Sequence, residues 1–84
     1  MATSVEDRVK KVVVKVLKID PSRIKPQSRF AADLGAESIQ SVELVAAFEE
    51  EFDITMDEDK ALSVDTVGGA VTFISACVRE QHEE

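Results

Sequence analysis

The sequence predicts an all-α fold, on three observations. Apolar residues recur at helical spacing in three long segments; the one β-branched run, Val12-Val13-Val14, breaks strand alternation at Lys10-Lys11; and both prolines fall in a single connection. Val5, Val9, Val12, Val13, Val16 and Leu17 form the stripe of a first helix over roughly residues 4–18, and Thr3-x-x-Glu6 has capping-box spacing at its start. Val14 then points away from the core. Asp20-Pro21-Ser22-Arg23 reads as a cap and a single turn, and Pro26 blocks further helix, so residues 19–37 form a long loop anchored by Ile24, Phe30 and Leu34.

The second helix, from about Ser38 to Glu51, has two different apolar faces. Ser41, Leu44, Val45, Phe48 and Phe52 cluster on one side and should meet the core. Ile39, Val42, Glu43, Ala46 and Glu50 cluster on the other, where small apolar residues ringed by carboxylates suggest a partner surface. A short helix fits Asp57 to Leu62. A last helix runs from a cap at Asp65 or Thr66 to about Arg79, with Val67, Val71, Ile74 and Val78 on one stripe and Ala70 and Phe73 beside it. Two interior glycines, Gly68 and Gly69, cost about 1 kcal/mol each relative to alanine, so that turn is either soft or pressed against another backbone. The tail Glu80-Gln81-His82-Glu83-Glu84 reads as frayed.

Size and charge narrow the function classes. Eighty-four residues make one small domain, 1–84, which buries only about 60% of its unfolded surface and leaves little room for an enclosed active site. The formal net charge is −7, unevenly spread: residues 1–30 hold eight Lys and Arg against three acids, and residues 31–84 hold two against fourteen. A negative face of this kind repels nucleic acid and steers basic proteins towards it. No apolar run is long enough to span a membrane, and the N-terminus lacks the basic-then-apolar layout of a signal peptide, so a soluble, cytoplasmic monomer is expected. The single Cys77 has no partner for a disulfide or a cysteine metal site, and reads as a small core residue. Asp53-x-Thr55-x-Asp57 resembles the start of a calcium loop, but Glu58 stands where glycine is required and Val64 where glutamate is required, so no metal site is expected.

Ser38 is the residue of greatest chemical interest. It follows the small-residue turn Leu34-Gly35-Ala36-Glu37, in which Gly35 gives backbone freedom and room for another molecule. At a helix start its oxygen lies where the helix dipole favours a negative substituent such as a phosphate ester. Its plain alternative is an ordinary N-cap. The only histidine lies in the tail, so no general base is in evidence and Ser38 is an acceptor modified by another enzyme, not a catalytic nucleophile.

These residues resemble a known family. Leu34-Gly35-Ala36-Glu37-Ser38-Ile39, then Val42-Glu43-Leu44-Val45 and Phe48-Glu49-Glu50-Glu51-Phe52, look like the acyl carrier proteins of fatty-acid and polyketide synthesis, and the likeness extends from Glu6 to Ile74. The resemblance implies a small four-helix bundle with a long loop between the first and second helices and a short third helix. Ser38 would carry 4′-phosphopantetheine, transferred from coenzyme A by a phosphopantetheinyl transferase. Acyl groups would ride as thioesters on its thiol and shelter between the second and last helices.

The resemblance also places Glu37, Ile39, Val42, Glu43, Ala46, Glu49 and Glu50 at partner-binding positions, facing acyl-transfer and chain-elongation enzymes with basic docking patches. Alternatives within reach are a carrier for an aminoacyl or polyketide cargo, or an unmodified acidic helical adaptor. The family usually has Asp-Ser-Leu where this chain has Glu37-Ser38-Ile39, and an acid where it has Gln40. In the family the aspartate helps hold the metal during modification, so these departures bear on transferase choice and leave a specialised carrier as open as the housekeeping one.

Overall fold

The computed structural model describes residues 4–82. It contains four helices, α1 (Val5–Leu17), α2 (Ser38–Phe52), α3 (Glu58–Leu62) and α4 (Val67–His82), with a 3₁₀ turn at Pro21–Arg23. No strand forms among the described residues beyond a single antiparallel bridge between Arg29 and Thr66. The expected all-α four-helix bundle, with its long first loop and short third helix, is what the chain adopts.

α1, the 3₁₀ turn, α3 and α4 each start on a side-chain cap, that of α1 shifted by one residue from the expected position. Ser4 caps α1, its hydroxyl accepting from Asp7 N–H at 3.1 Å; Thr3, the expected cap, lies outside the described residues. Asp20 accepts from Ser22 N–H at 2.8 Å and Pro21 opens the 3₁₀ turn. Asp57 accepts from Lys60 N–H and Thr66 Oγ1 from Gly69 N–H, opening α3 and α4. α1 and α2 both end on a left-handed residue without glycine, Lys18 (φ 56°) and Asp53 (φ 54°), whose N–H groups return to Val14 and Glu49 carbonyls.

The core is continuous, drawing on Val9, Val12 and Val13 from α1, Leu44, Phe48 and Phe52 from α2, and Ile24, Phe30 and Leu34 from the long loop. Two sequence expectations are corrected here. Val14 is half-buried against the core edge, because the 3₁₀ turn packs on α1 and widens its covered arc. On α4 the buried line runs through Val67, Ala70, Ile74 and Cys77, leaving Val71 and Val78 half-buried; small side chains at 70 and 77 let neighbouring elements approach closely there.

Loop and helix ends are tied together by backbone hydrogen bonds. Val67 N–H donates to the Ser28 carbonyl at 2.9 Å, Gly68 N–H to Pro26 at 2.8 Å, and Phe30 N–H to Asp65 at 3.0 Å. Those bonds satisfy the first amides of α4, which would otherwise lack partners. Ser28, buried, closes the loop by accepting from Lys25 N–H and donating to the Arg23 carbonyl. At the other end of the molecule, the tail expected to fray is helical through His82. Gln81 accepts from Thr55 N–H and donates to the Thr55 carbonyl, at 2.8 and 2.7 Å, and His82 Nε2–H donates to the Asp53 carbonyl at 2.6 Å. Arg8 completes this end: its Nε–H donates to Glu51 Oε2 at 2.9 Å, another N–H reaches the Glu51 carbonyl, and the guanidinium lies 4.3 Å from the Phe52 ring centroid.

Of the glycine pair, Gly68 lies against another backbone, whereas Gly69 faces the side chains of Thr66 and Val64. A Cβ on Gly68 would lie 3.0 Å from the Pro26 carbonyl oxygen, and that oxygen cannot retreat without lengthening the bond it accepts from Gly68 N–H. Helix propensity alone favours alanine here, so Gly68→Ala separates the two effects. Thermal unfolding of Gly68→Ala is expected to show a loss of about 1 kcal/mol, roughly 5 °C in Tm, from overpacking; an unchanged or higher Tm contradicts this account.

Candidate functional site

Ser38 is the first residue of α2, and the N-cap is Glu37, in extended conformation (φ −86°, ψ 165°). The plain reading of Ser38 as the cap is thereby replaced. Glu37 N–H donates to Gln40 Oε1 at 2.9 Å, the reciprocal half of a capping box, so Gln40 is the capping partner three residues on. The spacing Glu37-x-x-Gln40 was visible in the sequence, and the glutamate in place of Ser or Thr at the cap hid it. Ser38 is exposed, and among the described residues its hydroxyl has no hydrogen-bond partner.

The approach to that hydroxyl is open. Gly35 sits at φ +75°, a left-handed conformation that admits glycine most readily, and a Cβ there would meet no atom within 4 Å. Ala36, buried, pins the turn through its N–H to the Phe30 carbonyl at 2.8 Å. Upstream, Asp33 Oδ2 accepts from Arg29 N–H at 2.8 Å and the Asp33 carbonyl accepts from Arg23, fixing the loop that delivers the turn. α1 and α3 hold acids in their first turns, whereas the first turn of α2 holds none. Glu37 is thus the one acid at the start of α2, and the positive end of the dipole also favours an anion attached at Ser38.

His82, the one imidazole, hydrogen-bonds Asp53 beyond the far end of α2. Fifteen residues of helix separate the two ends, about 21 Å. Ser38 thus has no imidazole within hydrogen-bond reach.

The outer face of α2 is largely as expected. Ile39 is 67% exposed and Val42 45%, and Glu43, Ala46 and Glu50 are exposed beside them. Glu49 departs from the set. It is half-buried, and its Oε2 accepts from Met56 N–H at 2.8 Å, holding the segment that enters α3. Position on the helix explains this: Glu49 lies at the flank nearest Val45, where the chain returns after α2. The core face of α2 lines a cavity of about 50 Å³ shared with α3 and α4, whose walls include Phe30, Leu44, Phe48, Leu62, Phe73 and Ile74. That space holds only a few water-sized spheres.

In the calcium-like segment the Asp57 carboxylate caps α3, whereas Asp53 ends α2 through its backbone N–H, and no group of three or more potential metal ligands occurs among the described residues. Cys77 is buried; burial pushes its thiol above the ordinary range, and the charge of Glu80 adds to this.

An exposed serine whose hydroxyl has no hydrogen-bond partner among the described residues thus stands at the start of α2. Comparison with known proteins gives the family. The family described as "Phosphopantetheine attachment site" matches residues 7–74. The chain is 49% identical over 69 residues to the acyl carrier protein of Caulobacter vibrioides (strain NA1000 / CB15N), covering 82% of this chain and 88% of that protein. It is 49% identical over 72 residues to that of Phenylobacterium zucineum (strain HLK1), covering 86% and 91%. It is 50% identical over 68 residues to that of Sulfurovum sp. (strain NBC37-1), covering 81% and 91%. The chain belongs to the acyl carrier protein family and is a phosphopantetheine-bearing acyl carrier, a family of carriers more than of catalysts.

Two measurements check the assignments of Glu49 and Cys77. Glu49→Ala is expected to lower stability by about 1–2 kcal/mol through loss of the Met56 bond, while Glu50→Ala stays within about 0.5 kcal/mol of the parent; equal effects on unfolding would contradict the difference in role. In the Ser38→Ala chain, which bears no other thiol, Cys77 is expected to react with Ellman's reagent at pH 8 at least about tenfold slower when folded than in denaturant, since thiolate is the reactive form. Equal rates would place Cys77 in solvent.

Proposed function

We propose that residues 1–84 act as one carrier domain in which Ser38 is the attachment point. The observation that carries this is the free, exposed Ser38 hydroxyl at the open start of α2, with capping duty held by Glu37 and Gln40. The 4′-phosphopantetheine group, derived from coenzyme A, supplies a flexible arm and a thiol on which acyl groups are held as thioesters. Ser38 supplies the ester oxygen and the α2 dipole favours the phosphate charge beside it. Gly35, at φ +75°, lets the preceding turn adopt its left-handed conformation.

α2 then presents the carrier to its enzymes, namely a phosphopantetheinyl transferase and acyl-transfer and elongation enzymes bearing basic docking patches. Glu43 and Glu50 speed encounter with such patches, while Ile39, Val42 and Ala46 fix register. Glu37 borders Ser38 and meets the transferase first. Glu49 contributes by holding the α2–α3 connection and only its outer edge to docking. The acyl chain shelters in the apolar space between α2 and α4, which must widen from about 50 Å³, with Leu62 on α3 at its half-exposed rim. The setting is cytoplasmic; among the described residues no helix is long and apolar enough to cross a membrane.

Intact-mass measurement after incubation with coenzyme A and a phosphopantetheinyl transferase tests the assignment. One phosphopantetheine mass is expected on the parent chain and none on Ser38→Ala. Modification of Ser38→Ala moves the site elsewhere, and an unmodified parent chain returns the reading to an acidic adaptor.

A further inference from the structure

A second surface feature adjoins the α2 face and the carrier role does not use it. Between α1 and α2 runs a surface groove of about 290 Å³ floored by Val12, Val16 and Ala47. Lys11 and Lys15 stand on its α1 bank, Glu50 and Glu51 on its α2 bank. These charges differ in commitment. Glu51 is held by Arg8, but Lys11 and Lys15 are exposed and form no ion pair among the described residues, and Glu50 forms none either. Helices in contact lie about 8–10 Å apart, so a cationic pair on one bank faces a single uncommitted carboxylate on the other, with apolar side chains between them.

The net charge of −7 would suggest a partner that is uniformly basic. Such a partner, seated on Glu43 and Glu50, would bring cations against Lys11 and Lys15, and like charges facing each other across an interface are strongly disfavoured. A single acidic ridge also leaves rotation about the α2 axis weakly defined. A cationic row on one side only removes that freedom.

Resting on the carrier reading, we propose that this groove is a second docking strip, continuous with the α2 face through Glu50. It takes a protein element of bipolar chemistry: carboxylates directed at Lys11 and Lys15, arginine or lysine directed at Glu50, and small apolar side chains over Val12, Val16 and Ala47. Its work is orientation, so that the modified Ser38 end is aimed in one direction.

The test uses the modified full chain, its mass verified first, with a bacterial malonyl-coenzyme A acyltransferase as the probe enzyme. Lys11→Glu/Lys15→Glu is compared with Lys25→Glu/Lys60→Glu, which makes the same change of net charge outside the groove, and with Lys11→Arg/Lys15→Arg. The groove reversal is expected to raise KM about fivefold with kcat unchanged, an effect that shrinks at high salt. The arginine pair is expected to keep the parent KM, and the outside reversal to leave it unchanged or lower it. A groove reversal whose KM is unchanged or lower, as a uniformly basic partner would give, overturns the proposal, as does an equal rise from the outside reversal. Absence of the phosphopantetheine mass on the parent chain is the separate failure of the carrier reading, and it removes this proposal with it.

Discussion

Everything at the Ser38 end depends on where the first amides of α4 find their acceptors. Val67 and Gly68 donate to Ser28 and Pro26 carbonyls, and Phe30 N–H returns to Asp65, so the start of α4 and the middle of the long loop are one hydrogen-bonded unit. Each bond contributes about 1 kcal/mol net, and each would cost more if left unmade in a covered site. The unit explains the glycine at 68, since any side chain would separate the two backbones. It also carries the loop across the bundle, with Phe30 and Leu34 buried, to the turn that presents Ser38. A loop of this length without such an anchor would leave the serine turn free to wander, and the geometry of α2 would not determine what Ser38 faces.

The opposite end is fastened by a different kind of contact. Arg8, Gln81 and His82 all reach the C-terminal end of α2 or the backbone just after it. With both ends fixed, α2 can leave its outer face uncovered. Burial of Leu44, Phe48 and Phe52 on one side, together with the end contacts, lets Ile39 and Val42 stay exposed. An apolar residue left in water gives up roughly 1.5–3 kcal/mol of possible burial, which partner contact can recover. The fold and the proposed docking surface thus draw on separate faces of one helix.

Much of this was legible in the sequence. Helical periodicity identified the core face of α2, because burial follows spacing directly, while the prolines and isolated apolar residues of the long loop marked the anchors Ile24, Phe30 and Leu34. What escaped was set by contacts distant in sequence. Nothing local says that Glu49 turns to Met56, 7 residues on, or that Gln81 pairs with Thr55, 26 residues back, so one was read as a docking acid and the other as part of a frayed tail. The lean of α4 towards Ala70 and Cys77 was hidden for a related reason: hydrophobicity marks Val71 and Val78 as strongly, and only close packing favours the smaller residues.

The sequence left open whether Ser38 opens α2 or caps it, and the structure makes it the first helical residue. Had Ser38 been the N-cap, its oxygen would have been committed to an α2 amide, and esterifying it would have cost the helix about 1 kcal/mol. A carrier passes between modified and unmodified forms, so its helix would have differed in stability between them. Placing the cap at Glu37, with Gln40 returning the bond to Glu37 N–H, moves that duty one residue back. The Ser38 hydroxyl is left without a structural task, and α2 keeps the same start whether or not the serine is esterified. Of the two departures from the usual family residues, Gln40 therefore has a local physical role, since its side chain holds the amide of Glu37 at the cap position; an aspartate at 37 would cap the helix at least as well.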